Sequence, residues 1–336
     1  MKKINVAILG ATGAVGEEFL ALLAERKFPL ASLKLLASGK SAGRKVKFQG
    51  REIKIEEAGP GSFAGIDLVL SSAGSSVSRE LVPHAVKAGA VVVDNTSAFR
   101  MDPAIPLVIP EVNPEEIFKH KGVIANPNCS TIIMAVPLFP LHKAAGLRRA
   151  VVSTYQAASG AGMKAMRELE DQTREVLEGK KATKKIFRHQ IAFNLFSHDS
   201  KVREDGFTEE EYKMIQETRK IFKAPALQLI PTTIRVPILR AHSESVVAEF
   251  EKPLSEEAAR KVLANAPGVK VIDEREANYF PMPIEAAGQD YVLVGRIRKD
   301  PTAKNGLAFF VSGDQLRKGA ALNAVQIAEI LFSKKN

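Results

Sequence analysis

The chain has 336 residues, of which 45% are hydrophobic and 26% charged, which is typical of a globular protein with room for two domains. Its single cysteine excludes an internal disulfide framework and a multi-cysteine metal site. The net charge of +10 would suit nucleic acid, but the basic residues are scattered and aromatic residues make up only 6%. We therefore expect a solvated positive surface and no nucleic-acid partner.

The N-terminal and the most apolar segments predict a cytoplasmic protein. The first nine residues run directly into a strand pattern and lack the organisation of a signal peptide. The most apolar stretch, residues 132–141, contains Pro137 and Pro140 and is too short to span a bilayer. We therefore expect no membrane association.

The first half of the chain predicts a Rossmann-type domain. Apolar strands are predicted at residues 4–10, 33–37, 66–71, 90–94, 107–109 and 123–125, and the first helix at 14–26. Short apolar strands between helical segments are typical of a parallel, doubly wound sheet.

The second half predicts a different sheet. Longer strands, several of them alternating, are predicted at 147–158, 245–250, 269–272, 291–298 and 306–312, and helices at 163–177, 208–221, 255–264 and 315–332. This pattern indicates a mixed or antiparallel sheet with one covered face. The predicted fold is α/β: a Rossmann-type domain at 1–127, joined by the C-terminal helix of 314–336, and an α+β domain at 128–313.

A glycine-rich segment predicts a dinucleotide site. The sequence GATGAVG, residues 10–16, follows the first strand and opens the first helix. Small residues let the backbone approach a pyrophosphate, whose charge is met by N–H groups at the helix N-terminus. The spacing differs by one residue from G-x-G-x-x-G, and a tight turn without a ligand is the alternative.

The loop after the second strand favours NADP over NAD. Enzymes that use NAD usually place a carboxylate there to hold the ribose hydroxyls. Here residues 37–41 read ASGKS, and Arg44 follows. Lys40, Ser41 and Arg44 suit a 2′-phosphate, and a basic surface loop is the alternative interpretation.

The cysteine lies in a segment that predicts a reactive thiol. Cys129 belongs to NPNCST, residues 126–131, and an apolar run follows at once. This pattern places Cys129 at or just before a helix start, where the helix N-terminus favours the thiolate. The alternative is a cysteine that only fills a packing site.

A second segment, RVPILRAH at residues 235–242, supplies a candidate acid/base and anion-binding groups. His242 suits proton transfer near neutral pH, and Arg235 suits a carboxylate. The two side chains would face opposite sides of an unbroken strand, but Pro237 argues against such a strand.

These motifs together resemble one family over the whole chain, the aspartate-semialdehyde dehydrogenases of the bacterial type. The resemblance rests on GATGAVG at 10–16, DNTSAFR at 94–100, NPNCST at 126–131, QAASGAG at 156–162, EEEYK at 209–213, RVPILRAH at 235–242 and DQLRKGAA at 314–321. It implies an NADPH-dependent reduction of L-4-aspartyl phosphate to L-aspartate 4-semialdehyde, a step in lysine, diaminopimelate, threonine, methionine and isoleucine biosynthesis. It also implies a homodimer whose second domain is catalytic and mediates dimerisation, with no metal.

The resemblance assigns roles to individual residues. Cys129 would form the thioester, His242 would act as general acid/base, and Gln156 would position the substrate. Arg235 would bind the α-carboxylate and Glu210 the α-ammonium group. The phosphate would be bound by Arg100, Asn128 and Lys213. The NADP contacts would be Gly10, Thr12, Gly13, Ala14, Val15, Lys40, Ser41, Ser159, Gly160 and Gln315. Relatives often carry Asn where this chain has Gln315.

Two other functions stay open at this point. One is a related acyl-phosphate reductase, such as one that acts on N-acetylglutamyl phosphate. Glu210 discriminates between the two substrates, because an acetylated nitrogen needs no carboxylate partner. An ion pair between Glu210 and Lys213, three residues apart, is the structural alternative for that segment. The other function is a non-enzymatic nucleotide-binding or scaffold protein.

Overall fold

A computed structural model describes residues 2–333. Met1 and residues 334–336, which belong to the predicted first domain and C-terminal helix, lie outside the described residues. The chain forms two compact units. The first contains the residues up to Asn128 and those from Ala320 onward, and the second is Cys129–Gly319.

The first unit contains a seven-stranded sheet in the order β3-β4-β2-β1-β5-β6-β7. All of its strand pairs are parallel except the β3–β4 hairpin. Its elements up to residue 128 are β1 (Ile4–Leu9), α1 (Ala14–Glu25), β2 (Leu30–Ala37), β3 (Lys45–Phe48), β4 (Arg51–Glu57), β5 (Leu68–Ser71), α2 (Ser75–Lys87), β6 (Val91–Asp94) and β7 (Val123–Ala125).

The second unit contains a mixed seven-stranded sheet in the order β12-β13-β14-β11-β8-β10-β9. Its elements are α3 (Cys129–Ala145), β8 (Leu147–Gln156), α4 (Met163–Leu177), β9 (Phe196–Ser197), α5 (Glu209–Phe222), β10 (Gln228–Arg235), β11 (His242–Phe250), α6 (Glu256–Ala264), β12 (Val269–Val271), α7 (Pro283–Ala286), β13 (Val292–Asp300) and β14 (Gly306–Gly313). The apolar helix α3 packs against β8, β11, β13 and β14, and α5 packs against β10.

The chain returns to the first unit as α8 (Leu322–Ser333). Helices α1 and α8 contribute to the apolar cluster on one face of the first sheet, which includes Phe19 and Val325. Helix α2 contributes to a second cluster, which includes Leu81 and Val82. The first sheet is thus covered by helices on both faces, as the sequence predicted for a doubly wound fold. No helix within residues 2–333 is long and apolar enough to cross a membrane.

One predicted strand is wrong, and one predicted helix differs in its first turn. The strand at 107–109 reduces to a single bridge between Leu107 and Ala125, because Pro106 and Pro110 bracket the run and cannot donate ladder hydrogen bonds. The helix at 315–332 is divided, since a π-helical turn at Arg317–Ala321 precedes α8. Strands β3, β4, β9 and β10 have no counterpart among the predicted elements.

Candidate active site

The segment 10–16 of the first unit contains three glycines that differ in the space available for a side chain. Gly10 has a φ of +93°, and a Cβ there would lie 2.9 Å from the backbone N of Ala73. A Cβ at Gly16 would lie 2.3 Å from the Gly10 carbonyl oxygen. At Gly13, the residue before α1, the nearest atom would be 3.5 Å away. The protein itself requires Gly10 and Gly16, whereas the open space at Gly13 suits a ligand that approaches the backbone.

The residues at this loop fit a dinucleotide. No side chain caps the N-terminus of α1 at Gly13, so the first N–H groups of the helix, from Ala14 onward, are presented without a side-chain acceptor. A pyrophosphate is an anion that such a helix terminus binds well. Thr12 and Val15 flank this position in the chain.

The contrast between Gly13 and Gly16 gives a testable prediction. Gly16→Ala should lower the melting temperature, because its Cβ has no room against the backbone of Gly10 and Ala11. Gly13→Ala should fold normally and weaken dinucleotide binding by about tenfold or more, the equivalent of about 1.4 kcal/mol. Thermal unfolding and NADPH fluorescence titration measure the two effects. Equal dinucleotide affinity in wild type and Gly13→Ala would contradict the ligand interpretation.

The loop after β2 lies next to the glycine segment. The hydroxyls of Thr12 and Ser41 are 3.5 Å apart, and Lys40 is exposed. The structure also places a carboxylate that the sequence reading missed. A Cβ on Gly39 would lie 2.6 Å from Oε1 of Glu57, at the end of the adjacent strand β4. A carboxylate is thus present at this loop, although none lies at the end of β2 itself.

Arg100 and Asn128, predicted for phosphate binding, are both buried in the first unit. The Arg100 Nη2 donates to the Asn95 carbonyl oxygen at 2.8 Å. Burial raises the pKa of nearby Asp94, although hydrogen bonds from Thr96 and the charge of Arg100 oppose this shift.

In the second unit, three predicted side chains form one row across the sheet. Arg235 ends β10 and is the register partner of Gln156, the last residue of β8. On the other side of β8, the pairing of Ser243 with Tyr155 brings His242 beside Gln156. All three side chains are buried. Arg235 and His242 therefore reach the same face because residues 236–241 form a loop between two separate strands.

Cys129 is the first residue of α3, as the sequence predicted, and it is half-buried. The helix N-terminus stabilises a thiolate at this position. The next residue ties the cysteine to the row, because Gln156 Nε2 donates to the Ser130 hydroxyl at 2.9 Å. A Cβ at Gly319 would lie 3.1 Å from Cys129 Cβ, so a glycine leaves room beside the cysteine.

His242 is a neutral hydrogen-bond donor in this structure. The backbone N–H of Ala157 donates to its Nδ1 at 3.0 Å, which leaves the ring proton on Nε2. Complete burial and then the nearby charge of Arg235 lower the pKa of His242 to about 3. The Nε2 atom makes no hydrogen bond within residues 2–333. It is therefore ready to donate to a bound group.

The loop before His242 is braced by two residues that were predicted to contact the cofactor. Ala241 has a φ of +74°, which is uncommon outside glycine. Its N–H donates to Oε1 of Gln315 at 2.9 Å, and Gln315 Nε2 donates to the Ser159 hydroxyl. Gln315 and Ser159 thus hold the backbone that orients His242.

The guanidinium of Arg235 lies against a glycine and beside a second acid. A Cβ on Gly160 would lie 3.0 Å from Arg235 Nη1 and 3.1 Å from His242 Nε2. The Nε of Arg235 is 3.5 Å from Asp199 Oδ1. Among the described residues, Nε and Nη1 of Arg235 make no hydrogen bond. Buried guanidinium N–H groups in this state suit a carboxylate ligand.

Helix α5 positions Glu210 and Lys213. Thr208 and Glu211 form a capping box at its start, and Glu211 Oε1 accepts from the backbone N–H of Thr233 at 2.9 Å. Glu210 is buried, and its carboxylate lies 3.5 Å from both Gln156 Nε2 and Lys213 Nζ. Glu210 and Lys213 thus form the ion pair expected from their spacing. Glu210 is nevertheless buried, which an ion pair on an exposed helix surface would not explain.

Four residues of this site were missed by the sequence reading. Asp199 pairs with Arg235, Ser130 bonds to Gln156, and Ser200 and His198 are hydrogen-bonded next to Glu210. The segment Phe196–Ser197 is a two-residue edge strand, β9, which is too short to leave a periodic signal. Only the tertiary structure brings it to Arg235.

Glu244 lies two residues beyond His242 on β11, opposite Thr154. It is fully buried, and neither carboxyl oxygen makes a hydrogen bond within residues 2–333. Burial raises the pKa of Glu244 well above its ordinary value. The folded chain therefore holds this proton after the unfolded chain has released it. The free energy of unfolding is greatest below the unfolded pKa and falls as the pH rises toward the folded pKa.

Glu244→Gln should therefore raise the melting temperature at pH 8 and change it little near pH 4. In a unit of this size, each kcal/mol of relief corresponds to roughly 2–4 °C. Differential scanning calorimetry at both pH values measures the effect. The control is Glu276→Gln, since Glu276 is exposed. A gain of equal size at both pH values would contradict the assignment to carboxyl ionisation.

The fold of the two units and their buried polar groups indicate the class of protein. A doubly wound sheet with a dinucleotide-binding loop, and a mixed sheet that carries a cysteine and a histidine, are typical of an NAD(P)-dependent oxidoreductase. The similarity to known protein families supports this class. Residues 5–120 match the family model "Semialdehyde dehydrogenase, NAD binding domain", and residues 138–318 match "Semialdehyde dehydrogenase, dimerisation domain".

Individual relatives cover the whole chain. An aspartate-semialdehyde dehydrogenase of Synechocystis sp. is 56% identical over 98% of both chains, and one of Aquifex aeolicus is 54% identical over 98% of both. A crystal structure of aspartate semialdehyde dehydrogenase II complexed with ASA from Vibrio cholerae is 43% identical, covers 100% of both chains and has a TM-score of 0.97. The chain belongs to the aspartate-semialdehyde dehydrogenase family, which confirms the family and the two-domain α/β fold expected from the motifs.

Proposed function

We propose that this enzyme catalyses the NADP-dependent interconversion of L-4-aspartyl phosphate with L-aspartate 4-semialdehyde and phosphate, through a thioester on Cys129. The observation that carries the proposal is the row of Arg235, Gln156 and His242, which is tied to the start of α3 by the Gln156–Ser130 hydrogen bond. The step serves biosynthesis of lysine, diaminopimelate, threonine, methionine and isoleucine.

The chemistry begins with the Cys129 thiolate. Its sulfur attacks the acyl carbon of aspartyl phosphate, the carbon–oxygen bond to the phosphate breaks, and phosphate leaves with the electron pair. The bound dinucleotide supplies the hydride that reduces the thioester carbonyl. The resulting alkoxide on the former carbonyl carbon collapses, and the aldehyde forms as the thiolate leaves. The covalent intermediate divides one difficult reduction into two easier steps.

His242 acts mainly as a proton donor in this scheme. Its Nδ1 is occupied by the Ala157 N–H, so Nε2–H is the part of the ring that is left to donate to the reacting group. A donor of this kind stabilises the alkoxide that forms at the thioester carbon. The thiolate of Cys129 is stabilised by the N-terminus of α3 and does not require neutral His242 to accept its proton.

Charged residues recognise the two ends of the amino acid. Arg235 binds the α-carboxylate through its buried N–H groups, and Glu210 accepts from the α-ammonium group. Gln156 lies between them in hydrogen-bond contact with Ser130, and 3.5 Å from the Glu210 carboxylate. The family resemblance assigns the transferable phosphate to Lys213, Arg100 and Asn128.

NADP is the proposed dinucleotide. Thr12 and Ser41 hydroxyls, with Lys40, would receive the 2′-phosphate, while Gly10, Gly13, Ala14 and Val15 would hold the pyrophosphate. The carboxylate of Glu57 beside Gly39 works against a 2′-phosphate and suits a ribose diol. Measurable activity with NAD is therefore expected beside a preference for NADP. The family resemblance also assigns dinucleotide contacts to Ser159, Gly160 and Gln315.

A homodimer is the proposed assembly, in the cytoplasm. One face of the second sheet is covered by α3 and α5. The opposite face carries the half-buried apolar side chains of Tyr155, Val247 and Phe310 and the exposed Ile230. A second copy would cover this face, which lies within the segment that matches the dimerisation-domain model.

One assay tests the proposed reaction. NADPH formation is followed with aspartate semialdehyde or N-acetylglutamate semialdehyde, with and without phosphate, and with NAD in place of NADP. The proposal predicts phosphate-dependent turnover of aspartate semialdehyde, faster with NADP. Turnover of the N-acetylated compound alone would assign the enzyme to a different acyl phosphate. The buried Glu210 favours an unmodified ammonium group.

A further inference from the structure

A second histidine, His198, is half-buried beside β10, the strand that ends at Arg235. His198 follows the edge strand β9, and its backbone N–H donates to the Thr233 carbonyl oxygen at 2.8 Å. This bond extends the β9–β10 pairing, in which Phe196 is the partner of Arg235, by one residue. Side chains alternate along a strand, so His198 lies on the same face of the sheet as Arg235.

The imidazole of His198 is held in one orientation and one tautomer. The N–H and the hydroxyl of Ser200 contact its Nδ1 at 3.2 and 3.1 Å. The Ser200 hydroxyl oxygen accepts from the Glu210 N–H at 3.2 Å, so its own proton is directed to Nδ1. The ring proton of neutral His198 is therefore on Nε2. This nitrogen makes no hydrogen bond among the residues that the structure describes.

Four charged groups surround this imidazole. Three of them carry proposed substrate roles, and the fourth, Asp199, pairs with Arg235. Burial and then the positive charge of Arg235 lower the pKa of His198 to about 4, Lys213 acts in the same direction, and Glu210 and Asp199 oppose it. At neutral pH, His198 is an uncharged donor in a site that is otherwise built of charges.

We propose that His198 is a specificity-determining residue that donates a hydrogen bond from Nε2 to the substrate carboxylate bound by Arg235. The carboxylate is favoured over the phosphate because His198 lies on the chain segment that pairs with β10, on the same face of the sheet as Arg235. A carboxylate has more acceptor positions than one guanidinium fills. Donors from both Arg235 and His198 would discriminate against substrates that lack this carboxylate. The inference rests on the proposed function, since it assigns a second ligand to the same substrate.

Two variants separate this role from a structural one. His198→Phe removes the donor and keeps a ring, whereas Gln in His198→Gln can present an N–H near the position of Nε2. Loss of a hydrogen bond to a charged group costs about 1.5–3 kcal/mol, or about 10–100-fold. We expect His198→Phe to raise the KM for the semialdehyde by at least about tenfold. The KM for phosphate should stay within about twofold, and His198→Gln should recover most of the affinity.

An exposed-histidine variant and a pH–rate profile serve as controls. His84→Phe changes an exposed histidine of α2 and should leave both KM values unchanged. The pH–rate profile of His198→Phe should keep the wild-type shape from pH 6 to 9, because His198 is neutral throughout. A selective rise in the KM for phosphate, or unchanged KM values in a folded variant, would overturn the proposal. All variants are assayed on whichever semialdehyde the wild type oxidises, so that failure of the proposed reaction is seen separately in the wild type.

Discussion

Cys129→Ser should lower phosphate-dependent oxidation of aspartate semialdehyde by at least about a thousandfold, because the variant removes the group that forms the thioester. A serine hydroxyl is a much weaker acid and a poorer nucleophile near neutral pH than a cysteine thiol. The chain contains no other cysteine, so no second thiol can replace it. Steady-state kinetics with NADP and phosphate measure the loss.

A binding control separates chemistry from folding in this experiment. Cys129→Ser should bind NADPH with wild-type affinity and unfold at a similar temperature, because the substitution is small and the helix N-terminus is unchanged. Turnover within tenfold of wild type would rule out the covalent mechanism.

Gly160→Ala should lower kcat/KM by about a hundredfold, the loss that a displacement of about 1 Å can cause in an active site. The added methyl group would lie 3.0 Å from Arg235 Nη1 and 3.1 Å from His242 Nε2. It would therefore occupy the space between the two N–H groups proposed to hold the substrate, or move one of them. The same kinetic assay, with KM and kcat separated, measures the effect.

Gly61→Ala is the matched control for Gly160→Ala. A Cβ at Gly61 would meet no atom within 4 Å, and neither glycine has a positive φ. The two substitutions therefore differ in what surrounds the added methyl group. Wild-type kinetics in Gly160→Ala would show that the space between Arg235 and His242 is not used by the substrate.

The parts of the site that were predictable from sequence are those next to regular elements. Cys129 was expected at a helix start because two helix breakers precede it and an apolar run follows, and α3 begins at this residue. In one unbroken strand, the side chains of Arg235 and His242 would face opposite sides of the sheet. They reach the same face because residues 236–241 form a loop between two strands. Pro237 was the sequence signal for that loop.

Other features depended on contacts that no local pattern encodes. His198 and Asp199 reach the site only because the two-residue strand β9 adds to the edge of β10. The β3–β4 hairpin was missed because its turn is Gln49-Gly50, with positive φ at both residues, and not the usual Asn-Gly or Asp-Gly. Strand β10 contains Pro231, which argues against a central strand, but β9 pairs only with Ile234 and Arg235.

The charge at the dinucleotide loop depends on two strands, β2 and β4, that pair in the sheet. The absence of a carboxylate directly after β2 favours NADP. Parallel pairing of β2 with β4 brings Glu57 to Gly39, although Glu57 lies eighteen residues further along the chain. Charge at this loop is therefore mixed, and we expect the balance between Lys40 and Glu57 to influence the preference between NADP and NAD.

The most direct test of the covalent mechanism is to trap the acyl-enzyme. The enzyme is mixed with aspartate semialdehyde and NADP in the absence of phosphate, and NADPH formation and the mass of the Cys129 peptide are followed. The account predicts a burst of one NADPH per active site and one aspartyl group on Cys129, which added phosphate releases. Turnover in the presence of phosphate without any burst or adduct on Cys129 would contradict it.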